Sequence, residues 1–267
     1  MIHTSKSARC VSVFFAPLLQ NRLLIAAYLI LFPIFNGLHT FSWMQTQARY
    51  QMPWCTADQL CYTTVPSFFV LSAVVPFLYL INHMVKHSFS IPVVIRQRSK
   101  VGLWFHQLLQ TAAASAALTL YILLCVIVAG KVMGLDLLNW SSPISAYYAF
   151  TQTVNTQITI GYIVLIFSIS CFLGLLTAGT LFLLLRWATD QYLPGWIVIL
   201  VLGSVDIVGF SLLFNRLALN HKRWVEPAVI PQNLLIPLLW LMAAAILGIF
   251  VARRKDFLRV QQKQTNE

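Results

Sequence analysis

The chain has 267 residues, of which 59% are hydrophobic and only 9% are charged. Soluble globular domains carry about a quarter charged residues, so this composition excludes an ordinary soluble fold and leaves no room for a separate soluble domain. The net charge of +11 does not predict a nucleic-acid partner, because the cations lie beside apolar stretches and form no basic domain surface.

The first apolar segment, residues 11–19, follows a short basic stretch and superficially looks like a signal peptide. Gln20, Asn21, Arg22 and a full-length apolar stretch come next, whereas a cleaved signal would have small residues there. We therefore interpret residues 11–19 as a helix that lies on the inner surface of the membrane and leads into the first span.

Six longer apolar stretches follow, each long enough to cross a hydrocarbon core that needs about 20 helical residues. They cover residues 23–43, 68–85, 103–130, 158–185, 196–214 and 234–251. A backbone inside lipid must satisfy its own hydrogen bonds, so each stretch should be a helix. The sequence predicts an all-α polytopic membrane protein with six transmembrane helices, forming one domain over residues 1–267.

The basic residues predict how these helices are oriented. Of the 18 Lys and Arg residues, 13 lie at the two termini or in the links after the second and fourth stretches, and five lie in the other links. Because short cytoplasmic segments are enriched in Lys and Arg, both termini should face the cytoplasm. The link between the last two stretches, with Arg216, Lys222 and Arg223, fits this assignment least well.

Cysteine chemistry is a candidate only in the first outer link. Cys55 and Cys61 lie there six residues apart and could form a disulfide if that side is oxidising, although spacing alone leaves this open. Cys125 and Cys171 lie inside apolar stretches and are interpreted as buried packing residues.

Asp206 is the one ionisable residue clearly at membrane depth, between Gly203 and Gly209. An ionisable group there is a functional candidate, so Asp206 is a candidate polar point on a translocation path. The equally weighted alternative is a buried carboxyl that is hydrogen-bonded to a neighbouring helix.

The sequence has none of the common catalytic patterns. It contains no phosphate-binding Gly-x-x-x-x-Gly-Lys-Ser/Thr loop, no His-Glu-x-x-His and no Gly-x-Ser-x-Gly elbow. No Cys and His spacing predicts a metal site, and no cofactor is indicated. The chain is therefore not expected to be an enzyme, and an intramembrane enzyme using Asp206 is a minor alternative.

The link after the second stretch, residues 83–105, has features that a simple connection does not need. An apolar run, residues 91–95, precedes a basic cluster and an aromatic residue. An amphipathic piece of this kind could dock on a cytosolic partner while its cations hold the lipid surface. A plain positive-inside anchor would explain the charges equally well. The candidate docking residues are Ile91, Val94, Ile95, Arg96, Arg98, Lys100 and Trp104.

Together these features resemble the permease subunits of bacterial type-two ABC exporters. The resemblance covers the layout of the whole chain: a surface helix, six spans, cytoplasmic termini and a basic second link. Two short motifs also resemble that family. They are Arg96-Gln-Arg98-Ser99-Lys100 with Trp104, and the ending Val251-Ala-Arg253-Arg254-Lys255-Asp256-Phe257-Leu258.

The resemblance implies a permease that forms a translocation path in the bacterial plasma membrane, among its lipids. A separately encoded ATP-binding subunit would dock on the second link and hydrolyse ATP, and a second permease copy or a sister permease would complete the channel. The alternative, from a different class, is a non-transporting immunity, assembly or sensor protein of the membrane. The substrate cannot be predicted from these residues.

Overall fold

The structure is a computed structural model that describes residues 22–88, 99–221 and 230–255. The described residues form helices joined by turns and loops, and no strand occurs among them. The helices are α1 (Arg22–Arg49), α2 (Thr56–Thr63), α3 (Pro66–Phe69), α4 (Val75–Ser88), α5 (Lys100–Val132), α6 (Ala146–Thr151), α7 (Ile160–Thr189), α8 (Leu193–Ile207), α9 (Phe214–Leu217) and α10 (Ile230–Arg254). The predicted all-α class is confirmed.

Five helical segments of the described chain are long and apolar enough to cross a membrane. They are Ile25–Arg49 within α1, Pro66–Val85 across α3 and α4, and the helices α5, α7 and α10. These segments match five of the six predicted stretches, which supports a multi-pass membrane protein. The orientation of the termini stays a prediction, and the predicted surface helix, residues 11–19, lies outside the described residues.

The fifth predicted span, residues 196–214, is not confirmed as a span. Helix α8 has only 15 residues, which at 1.5 Å per residue is about 22 Å and short of a hydrocarbon core of about 30 Å. The helix ends at Ile207, and Gly209 follows with a φ of +112°, a conformation that glycine adopts without the strain of a side chain. The chain then turns into α9.

Helix α1 buries several polar residues on its packed face, whereas its open face is apolar. On α1 the buried residues include Asn36, Thr40 and Gln47, while Ile30 and Phe35 are exposed. Water-soluble helices show the reverse arrangement. A lipid solvent explains it, because lipid tails solvate apolar side chains and polar groups find partners inside the bundle.

Two prolines inside the membrane-spanning helices free backbone carbonyls that tyrosines then bond. Pro33 lacks the N–H that would reach the Leu29 carbonyl, and Tyr121 Oη donates to that oxygen at 2.7 Å. Pro76 follows a turn of π-helix, Val70–Val74, and leaves the Ser72 carbonyl to Tyr28 Oη at 3.2 Å. Each freed carbonyl thus accepts a hydrogen bond from a neighbouring helix, as lipid requires.

Replacing Tyr121 with phenylalanine should destabilise the bundle by about 1–3 kcal/mol, because it leaves the Leu29 carbonyl without its side-chain donor. Thermal unfolding in a neutral detergent measures the effect. Tyr79→Phe is the matched control, since Tyr79 is exposed on α4 and should tolerate the change. Equal melting temperatures for the two variants would contradict the proposed role of the hydroxyl.

Candidate functional site

The two ends of the helix bundle have different chemistry, and we name them by it. The basic end contains the start of α5 and the last turns of α7 and α10, with Lys100, Arg186, Arg253, Arg254 and Lys255. The aromatic end contains the end of α1, the loops around α2 and α6, and the segment after α9, with Trp43, Trp54, Tyr62, Trp140, Tyr147, Phe150 and His221.

The predicted docking residues fall at and beyond the basic end. Ile91, Val94, Ile95, Arg96 and Arg98 lie outside the described residues. Ser99 is the first described residue after them. Its Oγ accepts a hydrogen bond from the Gly102 N–H at 2.9 Å and caps α5. The candidate docking link therefore leads directly into a capped spanning helix.

Trp104 is a packing residue in this structure. Its indole is fully buried and meets Trp187 edge to face, with the ring centroids 5.9 Å apart. Its Nε1 donates to the Ala245 carbonyl of α10 at 3.2 Å. Trp104 therefore joins α5, α7 and α10, and its indole is not available to a docking partner in this conformation.

Lys100 and Lys255 fasten the same three helices at the basic end. Lys100 Nζ donates to the Lys255 carbonyl, while Lys255 Nζ donates to the Trp187 carbonyl and forms an ion pair with Asp190. We call Lys100, Trp187, Asp190 and Lys255 the basic clasp. Lys255 is buried, so its charge is held by a carboxylate and a carbonyl, as a buried ammonium requires.

Asp206, the candidate for the translocation path, closes a turn instead. Its side chain is buried, and Oδ1 accepts from the Leu212 N–H at 2.7 Å. Oδ2 accepts from the N–H groups of Leu213 at 3.0 Å, Phe214 at 2.6 Å and Asn215 at 3.4 Å. The carboxylate satisfies the first donors of α9, so this geometry favours the structural alternative.

At the aromatic end, Asp58 is the centre of a buried polar network. Its Oδ1 accepts from Trp140 Nε1 and from His221 Nε2, each at 2.8 Å. Its Oδ2 accepts from the backbone N–H of Cys55 at 3.0 Å and lies 3.1 Å from the Cys55 thiol. One carboxylate thus ties together α2, the loop before α6 and the segment after α9.

Aromatic rings surround His221 in this network. Phe150 stacks on the imidazole with the centroids 5.2 Å apart, and Trp140 and Tyr147 pack at 5.4 and 5.8 Å. Because Nε2 faces the Asp58 carboxylate, the proton of a neutral ring belongs on Nε2, which leaves Nδ1 as an acceptor.

A cavity of about 480 Å³ opens beside this network. Trp43, Trp54, Tyr62 and Phe150 form aromatic parts of its wall, and Asp58 and His221 line it as well. The volume lies in the range of small-molecule sites, and its few polar groups among aromatic side chains are typical of them. This cavity is the candidate functional site.

Cys55 and Cys61 are separate free thiols at the edge of the site. Six helical residues span about 9 Å along the axis, which is longer than a disulfide tolerates between Cα atoms, so the predicted alternative would require α2 to unwind. Burial and the nearby Asp58 charge raise the pKa of both thiols. They are therefore protonated and unreactive at neutral pH.

This site was not predicted from the sequence because its members are far apart in the chain. Asp58 lies 82 residues from Trp140 and 163 residues from His221, and none belongs to a local motif. The sequence does contain a detectable pattern for a different set of buried polar residues. Gln107, Thr111, Ser115 and Thr119 repeat every four residues on α5, which places them on one helix face.

Among the described residues, no three His, Cys, Asp or Glu side chains lie close enough together to hold a metal ion. No protein-family model, curated protein or solved structure matches the chain.

Proposed function

We propose that this chain is the permease subunit of an ATP-driven ABC exporter in a bacterial plasma membrane. The basic end would face the cytoplasm, where the positive-inside rule places Lys and Arg. A separate ATP-binding subunit would dock on the link before α5, and a second permease copy or a sister permease would complete the path. ATP hydrolysis would belong to the partner.

The basic clasp is the observation that carries this proposal. A docked motor must move the spanning helices, and Lys100, itself a candidate docking residue, lies at the start of α5. Lys100 bonds the carbonyl of Lys255, the residue directly after α10, and Lys255 in turn contacts Trp187 and Asp190 at the end of α7. A displacement of the link is thereby applied to three long helices together, as rigid-body rocking requires.

Uncharged polar groups between the long helices also support a path. Gln107, Gln110, Thr111, Ser115 and Thr119 are buried on α5, and Ser170 and Thr177 are buried on α7. Gln110 Oε1, Ser170 Oγ and Thr177 Oγ1 have no hydrogen-bond partner within the described parts of the chain. Buried polar atoms normally have partners, so unpaired ones are a reason to expect that this seam opens to water.

The test is a mild-detergent pull-down of the full chain from its native membranes, comparing wild type with an Arg96→Glu/Arg98→Glu variant. We expect a stoichiometric ATPase with the wild type and its loss with the variant, since reversing two charges at the docking link opposes binding. The matched control is Arg253→Glu/Arg254→Glu, which makes the same charge change at exposed positions of α10 and should retain the ATPase.

Recovery of only membrane proteins, or of none, from well-folded wild type would contradict the permease. The non-transporting alternative, an immunity, assembly or sensor protein, would then be favoured. Loss of the ATPase in both variants would show that general charge at the basic end, and not the link, holds the partner.

A further inference from the structure

We propose that the cavity at the aromatic end binds an organic ammonium group. This binding would need no ATP-binding subunit, so it goes beyond the permease function and can fail or succeed separately from it. Three features of the cavity support this proposal: its charge, the faces of its aromatic rings and the hydrogen bonds of Asp58.

The cavity has the charge of a cation site. Asp58 is the acidic residue in its lining, and no Lys or Arg occurs among the described residues that line it. Asp58 is fully buried, so water screens its charge poorly. Asp58 therefore places a carboxylate in a largely apolar wall, and a positive ligand is favoured there.

The aromatic wall is preorganised for the same kind of ligand. Trp43 stacks on Trp54 with the centroids 5.8 Å apart, and Tyr62 packs on them at 4.5 and 6.3 Å. Trp54 Nε1 is also fixed, because it donates to Gln59 Oε1 at 3.3 Å. Ring faces carry negative electrostatic potential and attract ammonium groups, and indole is the strongest of them.

At Asp58, the hydrogen bonds favour a cationic group over a neutral polar ligand such as a sugar. Both oxygens of Asp58 already accept from Trp140, His221 and Cys55, so the carboxylate has little capacity left for ligand hydroxyls. It acts through its charge.

Such an ammonium group has two sources, the headgroup of a membrane lipid or a free amphiphilic amine. Trp43 lies near the end of a candidate spanning segment, where indoles usually meet lipid headgroups. Both sources present the same chemistry to the cavity, and an experiment can separate them.

The experiment titrates the full chain in a neutral detergent at pH 8, using calorimetry. The probe is choline, and the matched probe is 3,3-dimethylbutan-1-ol, which has the same shape without the charge. We expect choline to bind about tenfold more tightly, since the cation contributes through the ring faces and the carboxylate. Equal affinity of the two probes, or no binding of either, would overturn the proposal.

Variants locate the binding in the cavity. Trp43→Leu should weaken choline binding about fivefold, whereas Trp43→Phe, which keeps a ring face, should weaken it less. Trp240→Leu is the control, because Trp240 is exposed on α10 and does not line the cavity. Unchanged choline binding in Trp43→Leu would overturn the site even if choline binds elsewhere.

Lipid nanodiscs separate the two sources. If the lipid headgroup is the natural occupant, choline should bind more weakly in phosphatidylethanolamine than in phosphatidylglycerol discs, because the headgroup competes. Equal choline affinity in the two discs, with the cavity variants still effective, would identify a free amine as the ligand class.

Discussion

Replacing Asp206 with alanine is expected to destabilise the protein by about 3 kcal/mol or more. The four N–H groups of residues 212–215 that now point at the carboxylate would lose their acceptor, and those of Leu213 and Phe214 lie in buried surroundings. Each unsatisfied buried donor costs about 1–3 kcal/mol before the turn relaxes. Thermal unfolding in a neutral detergent and the yield of folded chain measure the loss.

Two further variants test the reason for that loss. Asp206→Asn keeps one side-chain oxygen as an acceptor and should be destabilised less than the alanine variant. Asp136→Ala removes a carboxylate from an exposed position and should have little effect. If Asp206→Ala unfolded like the wild type but had lost a transport activity, the translocation-path interpretation would be restored.

Asp206 also shows where sequence reasoning succeeded and where it stopped. From the sequence, Asp206 was a candidate either for a translocation path or for a buried, hydrogen-bonded carboxyl. Its actual partners are backbone amides of the following turn, six to nine residues ahead, a pattern with no local signature. The apolar residues continue across that turn, so the sequence predicted a single span over residues 196–214. The structure has α8, a turn and the start of α9 there.

The five longer spans were predictable because length and composition determine them in lipid. The faces that these helices bury were not, because the prediction counted charges and overlooked uncharged polar groups. The four-residue spacing of Gln107, Thr111, Ser115 and Thr119 would have identified one buried face of α5. By contrast, the Asp58, Trp140 and His221 network depends on how distant loops meet, which no periodicity in the sequence encodes.

Adding one methyl group at Gly248 is expected to displace α10 from the bundle. A Cβ there would lie 2.0 Å from Trp104 Cζ2 and 2.3 Å from Cε2, far inside van der Waals contact. The indole cannot easily move, since it is fully buried, packs on Trp187 and bonds the Ala245 carbonyl. We therefore expect Gly248→Ala to destabilise the protein by about 1–3 kcal/mol, the usual range for overpacking, measured by thermal unfolding.

Gly161→Ala is the matched control, because a Cβ at that helical position meets only the Thr159 hydroxyl, at 3.9 Å, and alanine is the better helix former. A smaller ring should relieve the clash. Trp104→Phe combined with Gly248→Ala should therefore lose less stability than the sum of the two single variants. Strict additivity would show that α10 does not pack on Trp104, and the basic clasp, two helical turns further along α10 at Lys255, would lose its support.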